Sequence, residues 1–179
     1  MSDTPTAVEG TVLFTDLVGF TEYTDAEGDA AALGVLERQT DLMCGITAGR
    51  TEARIVKELG DGLMVCFGSP YDAIDSATAM LVAVEAARDR DGFPVAIRMG
   101  LHRGEMLRRG DDLVGATVNI AARIAALAGP GELLASEAAI AACGEQQPPA
   151  HLDPVGPAPI KGVAEPVWLV RVSAPERRS

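Results

Sequence analysis

Aromatic residues are scarce, at 4% of 179 positions, and positive charge is short: 15 Lys and Arg stand against 26 Asp and Glu, a formal net charge of −11. Such a chain lacks the basic footprint that holds a polyphosphate backbone, which excludes nucleic acid as a partner of the whole surface. A small anionic ligand is not excluded. Screening confines exposed charge to about 8–10 Å, so a local cluster of Lys, Arg and metal works on an acidic protein. Cysteine is sparse too: Cys44, Cys66 and Cys143 lie far apart with no CxxC pair. That argues against a zinc site or a disulfide framework and fits a reducing compartment. No apolar run reaches the ~18–20 residues of a membrane span. The opening MSDTPTAVEG has no basic segment followed by an apolar one, so no secretory signal is read there. The expectation is a cytoplasmic protein without a membrane span.

What is present suffices for a core. Apolar residues make up 47% of the chain, which excludes a disordered one. At roughly 100–200 residues per domain, the length is that of one domain. Residues 8–173 read as that domain, with 1–7 and 174–179 as flexible tails.

Residues 9–16 (EGTVLFTD) read as a strand, since Val12 and Phe14 alternate with Leu13 and Thr15. Residues 30–50 read as a helix with Leu33, Leu36, Met43 and Ile46 inward. Two strands, 54–59 and 63–67, form a hairpin about Gly60-Asp61-Gly62, where glycine supplies the positive φ of a tight turn. Ser69 caps a helix that starts on Pro70 and runs to about Arg90, with Ile74, Ala77, Leu81 and Val84 inward. Val95, Ile97, Met99 and Leu101 alternate in a strand. A helix over 116–127 ends at Gly129-Pro130-Gly131, and short strands follow at 132–135 and 167–172. Strand, helix, two strands, helix, strand is the order of a ferredoxin-like α+β sandwich, with an antiparallel-rich sheet and flanking helices.

Three polar residues interrupt this pattern. Asp16 ends the first strand on the face of Val12 and Phe14, Lys57 lies on the face of Ile55 and Leu59, and Asp61 sits in the hairpin turn. An unpaired ion costs several kcal/mol among apolar groups, so each needs a partner or solvent. If the strands are neighbours, Asp16 and Asp61 converge at one sheet end. A divalent cation relieves the repulsion of such a pair, and all-oxygen ligation points to Mg²⁺ or Mn²⁺. On spacing alone these aspartates are equally ordinary turn and strand-end residues, and Lys57 a strand lysine with its stem on apolar surface. Asn119 and Arg123 stand four apart, on one face of a helix whose other side carries Val118, Ala122 and Ala125. A guanidinium suits phosphoryl charge and an amide suits a sugar oxygen, although a solvated polar face looks the same.

Taken together, Phe14-Thr-Asp16-Leu-Val-Gly-Phe-Thr21, Lys57-Glu-Leu-Gly-Asp61, Met99-Gly-Leu-His102 and Asp112-Leu-Val-Gly-Ala-Thr-Val-Asn119-Ile-Ala-Ala-Arg123 resemble the catalytic domain of class III nucleotidyl cyclases, of the bacterial adenylyl type. Ile160-Lys-Gly162 and Pro166-Val-Trp-Leu-Val170 resemble that family's last strands. The resemblance implies that Asp16 and Asp61, helped by the backbone carbonyl of Leu17, bind two divalent cations per site. It implies that Lys57 and Asp112 read the purine, that Asn119 orients the ribose and that Arg123 stabilises charge at the reacting phosphorus. Lys161 matches a contact to the terminal phosphates more loosely. It further implies sites shared across a homodimer.

The base readers favour ATP. Lysine only donates and a carboxylate only accepts, which suits adenine N1 and N6; guanine reverses that pattern, and family guanylyl cyclases typically place Glu and Cys there. A guanylyl or dual-purine cyclase, or a lapsed nucleotide-binding module, is the alternative. Glu105 stands where some members carry a basic phosphate contact. His102 and His151 need no role.

Overall fold

The computed structural model describes residues 4–175. In chain order these form β1 (Thr6–Val18), α1 (Phe20–Glu27), α2 (Asp29–Thr47), β2 (Arg54–Leu59), β3 (Gly62–Phe67), α3 (Pro70–Asp91), β4 (Ala96–Arg109), β5 (Asp112–Val114), α4 (Ala116–Leu127), β6 (Leu133–Ser136), α5 (Glu137–Ala141), β7 (His151–Ala158) and β8 (Val167–Ser173). The eight strands make one sheet in the order β2-β3-β1-β4-β6-β8-β7, with β5 beside β4. All pairings are antiparallel except β4 with β6. β2-β3-β1-β4 with α2 and α3 is the ferredoxin-like α+β arrangement expected from the element order.

The sheet is covered on both faces. On one, α3 buries Ile74, Ala77, Leu81 and Val84 against Leu13, Val65, Phe67, Met99 and Leu101. Its start is set as expected: Pro70 is the first residue, and the Ser69 hydroxyl accepts from the Asp72 N–H at 3.2 Å. On the other face, α4 packs Val118 and Ala121 on Val12, Met64, Met106 and Leu113. Farther along, Ile124 of α4 meets Leu134, Ile160 and Leu169.

Gly100 lets α4 approach. A Cβ on it would stand 2.1 Å from the Ala125 backbone nitrogen, a contact that no side-chain rotation relieves. Gly100→Ala is therefore expected to destabilise the fold by about 3 kcal/mol or more, the upper end of overpacking. Urea unfolding of the two proteins measures it.

Several elements depart from the expected ones. α1 lies between Gly19 and Gly28, with φ of 82° and 88°, and buries no residue, so no apolar period announces it. The inward face of α2 is Ala32, Val35, Gln39, Met43 and Thr47, with Leu36 and Ile46 at its margin, whereas Leu33 is 55% exposed. Two polar residues on that face conceal it from a hydropathy pattern. β1 starts at Thr6, which pairs with Arg108, so Thr6 and Ala7 belong to the sheet rather than to a tail. Residues 1–3 and 176–179 of the expected tails lie outside the described residues. β7 holds Pro154 and Pro157 and was not expected as a strand; it tolerates them as an edge strand.

The hairpin differs in two ways. Its turn takes positive φ at Gly60 (62°) but not at Gly62. Gly62 is small for another reason: a Cβ there would lie 2.4 Å from the Thr15 carbonyl oxygen. In addition, the β2–β3 register shifts between Ile55 and Lys57, so Ile55 faces Val65 while Lys57 faces Met64. Directly paired residues share a sheet face. Lys57 therefore lies on the α4 side with Met64 and Phe14, not on the Ile55 side that alternation predicts. A bulge changes parity by one, and Val56 absorbs it.

Candidate active site

β1 and β3 are neighbours, with Thr15 opposite Leu63 in the last rung. Asp16 follows that rung in β1, and Asp61 precedes it in the turn. Burial raises the Asp61 carboxyl above its ordinary value, and the Asp16 carboxylate beside it raises it further. A guanidinium already balances this pair. Arg98 lies directly across from Asp16 in β4, and its Nε donates to Asp16 Oδ2 at 2.6 Å, with Nη2 at 2.5 Å from the same oxygen. Its Nη1 reaches the Ala126 carbonyl at the end of α4, 3.4 Å away. Phe14, Leu59, Gly62, Ala122, Ala125 and Ala126 wall a hollow of about 190 Å³ beside Asp16 and Arg98.

Sequence alone does not single out Arg98. Its signal was a charged residue between Ile97 and Met99, on the face those two leave free. Only the β1–β4 register tells which acid it meets.

The donor set suits a hard divalent cation. It is all oxygen, the Asp16 side chain keeps 30% exposure for water or substrate oxygens, and a positive group already rests on it. Among the described residues, no cluster of three His, Cys, Asp or Glu supplies more ligands. Leu17 buries its side chain, at 3% exposure, leaving only its main chain for such a role.

Lys57 and Asp112 form a second cluster. Lys57 Nζ donates to both Asp112 carboxylate oxygens, at 2.7 and 3.0 Å, and Asp112 Oδ1 also accepts from the Leu113 N–H at 2.8 Å. The bulge in β2 and the β4–β5 hairpin bring the two together across 55 residues of chain. The Lys57 bond, then the Leu113 bond, hold the Asp112 carboxyl below its ordinary value. A depressed carboxyl contributes stability above the ordinary Asp pKa and loses it as pH falls through the lowered value. Lys57→Met is therefore expected to move the Asp112 pKa upward, toward the ordinary value, in an NMR pH titration.

Asn119 is exposed on α4 and Arg123, one turn on, is half-buried. The Arg123 Nη1 lies 3.6 Å from where a Cβ on Gly162 would stand, so its guanidinium meets the β7–β8 turn. Lys161 is the exposed neighbour of Gly162 in that turn. Within one chain the expected residues thus fall into three groups: the carboxylate pair with Arg98, the Lys57–Asp112 pair, and Arg123 near Lys161.

The adenylate and guanylate cyclase catalytic domain matches residues 4–171, and the chain belongs to that family. Among curated relatives, it is 30% identical over 173 residues to a pH-sensitive adenylate cyclase of Mycobacterium tuberculosis, covering 94% of this chain and 41% of that protein. It is 32% identical over 128 residues to putative adenylate cyclase 3 of Rhizobium meliloti, covering 70% and 22%. The chain thus spans less than half the length of either relative. The adenylyl cyclase CyaB from P. aeruginosa shares the fold, with a TM-score of 0.85 at 24% identity over 97% of both chains. Among the described residues, no helix is long and apolar enough to cross a membrane.

Proposed function

We propose that this chain is an adenylyl cyclase, converting ATP to 3′,5′-cyclic AMP and pyrophosphate at sites shared across a homodimer. The observation that carries the reading is the Asp16–Asp61 pair at one sheet end, with Arg98 already resting on it as a cation. Asp16, Asp61 and the Leu17 carbonyl would hold two Mg²⁺ or Mn²⁺ ions. What such ions supply when bound is Lewis acidity toward the ribose 3′ oxygen and the polyphosphate.

The rest falls to the chain. Arg98, which rests on Asp16 beside the hollow, would be the guanidinium available to the polyphosphate if the carboxylates held cations instead. Lys57 donates to adenine N1 and Asp112 accepts from N6. The two already satisfy each other, so the purine exchanges one set of polar bonds for another and strands no buried charge. Asn119 orients the ribose. The 3′ oxygen gives its proton to solvent water and bonds to the α-phosphorus, and the bond from that phosphorus to the bridging oxygen breaks, releasing pyrophosphate. Arg123 meets the negative charge that grows on the α-phosphoryl oxygens, with Lys161 nearby for the terminal phosphates.

Within one chain the Arg123 guanidinium lies beside Gly162 in the β7–β8 turn. Each chain carries both sets, so a two-fold dimer holds two complete sites. Incubation of the purified protein with ATP or GTP and Mn²⁺ or Mg²⁺, followed by identification of the product, tests the reading. Cyclic AMP is expected. Cyclic GMP alone would replace ATP by GTP, and a folded dimer that makes neither overturns the activity.

A further inference from the structure

We propose that Gln39 is a positioning residue for the Asp16–Asp61 pair, acting on it from the opposite face of the sheet; this rests on the cation-binding reading of that pair. Gln39 is 1% exposed, on the face of α2 that packs against the sheet. A primary amide there is costly unless both of its ends are matched. Both are. Gln39 Oε1 accepts from Thr15 Oγ1 at 2.9 Å, and Gln39 Nε2 donates to the Asp61 carbonyl at 3.2 Å. Thr15 Oγ1 in turn accepts from the Leu63 N–H at 3.0 Å. These bonds close a ring around Gly62, tying the peptide groups on both sides of it to α2 and β1.

The ring touches the residue before one aspartate and the backbone of the other. Side chains alternate along a strand. Holding Thr15 against α2 therefore aims Asp16 at the α4 face. Asp61 lies between the paired Leu59 and Gly62, outside the β2–β3 rungs. Its carbonyl bond to Gln39 fixes the peptide plane from which its carboxylate projects. Gly62 sits with no room for a Cβ against the Thr15 carbonyl, so the turn and β1 are in close contact. Two carboxylates that repel move apart unless their backbones are held. Gln39 ties both backbones to one helix, as outer-shell groups do for metal ligands.

The test compares the wild-type chain with Gln39→Met, Thr15→Val and the double variant. Met keeps the length and volume of Gln and removes both polar ends. Fold is checked by circular dichroism and Tm. Mn²⁺ affinity is read by electron paramagnetic resonance of the nucleotide-free protein and by the half-saturating Mn²⁺ in the cyclase assay. Gln39→Met is expected to weaken Mn²⁺ about 10–100-fold, with the Asp112 pKa unmoved in NMR because the purine pair lies outside the ring. The double variant is expected to be no worse than its weaker parent, since both act through one ring. Unchanged Mn²⁺ affinity in folded Gln39→Met overturns the proposal. Should that variant not fold, Thr15→Val decides in its place, on the same readout. A wild-type chain that binds Mn²⁺ and makes no cyclic nucleotide sinks the cyclase reading alone. A wild-type chain that cyclises ATP, beside a Gln39→Met variant with unaltered Mn²⁺ affinity, sinks only the role of Gln39.

Discussion

Asp16→Ala and Arg123→Ala are each expected to be inactive alone, and mixing them is expected to restore about a quarter of wild-type activity. The arithmetic follows from the symmetry. Random exchange makes half of the dimers mixed. In a mixed dimer, one site joins the intact Asp16 of one chain to the intact Arg123 of the other, while the second site lacks both. The two lesions differ in kind when read singly. Asp16→Ala removes half of the carboxylate pair and leaves the Arg98 guanidinium without its partner. Arg123→Ala removes charge that acts on the transition state, so kcat should fall about 100–1,000-fold while KM changes little. Activity of the mixture, followed over time after subunit exchange is verified by mass-tagged chains, is the measurement. Verified exchange without rescue would show that each chain carries its own complete site.

The second large effect concerns the base. Lys57→Glu combined with Asp112→Cys should shift the ratio of ATP to GTP turnover about 100-fold or more toward GTP. Glu accepts from the guanine N–H groups, and the thiol donates weakly to its O6. Each single change should cost activity without a clean switch, because Lys57 and Asp112 satisfy one another at 2.7 Å and losing either leaves the other charge without its partner. The measurement is kcat/KM for both nucleotides. A folded double variant that still uses ATP strictly would show that these two side chains do not read the purine.

Parts of this molecule were legible in the chain because their causes are local. The Ser69-Pro70 start of α3 and its inward Ile74, Ala77, Leu81 and Val84 follow from capping and a 3.6-residue period. In β4 the inward Ile97, Met99 and Leu101 follow from alternation, although the strand begins at Ala96, after Val95. Asp16, Lys57 and Asp61 stood out because burying an unpaired charge is costly and demands a partner. α1 and β7 escaped notice because one buries nothing and the other carries two prolines.

The amino-acid order by itself determined the α+β class and marked Asp16, Lys57 and Asp61 as charges in need of partners, since these rest on periodicity and residue chemistry within a few positions; Asp112, Asn119 and Arg123 take their roles from the family resemblance of their motif. Tertiary structure alone decided which face Lys57 takes, because a one-residue bulge at Val56 reverses parity and only the ladder with β3 reveals it. It also decided that Arg98, 82 residues from Asp16, rests on that carboxylate, and that Gln39 bonds the Thr15 hydroxyl and the Asp61 carbonyl. Pairing between distant strands sets those contacts, and hydropathy along the chain carries no record of register.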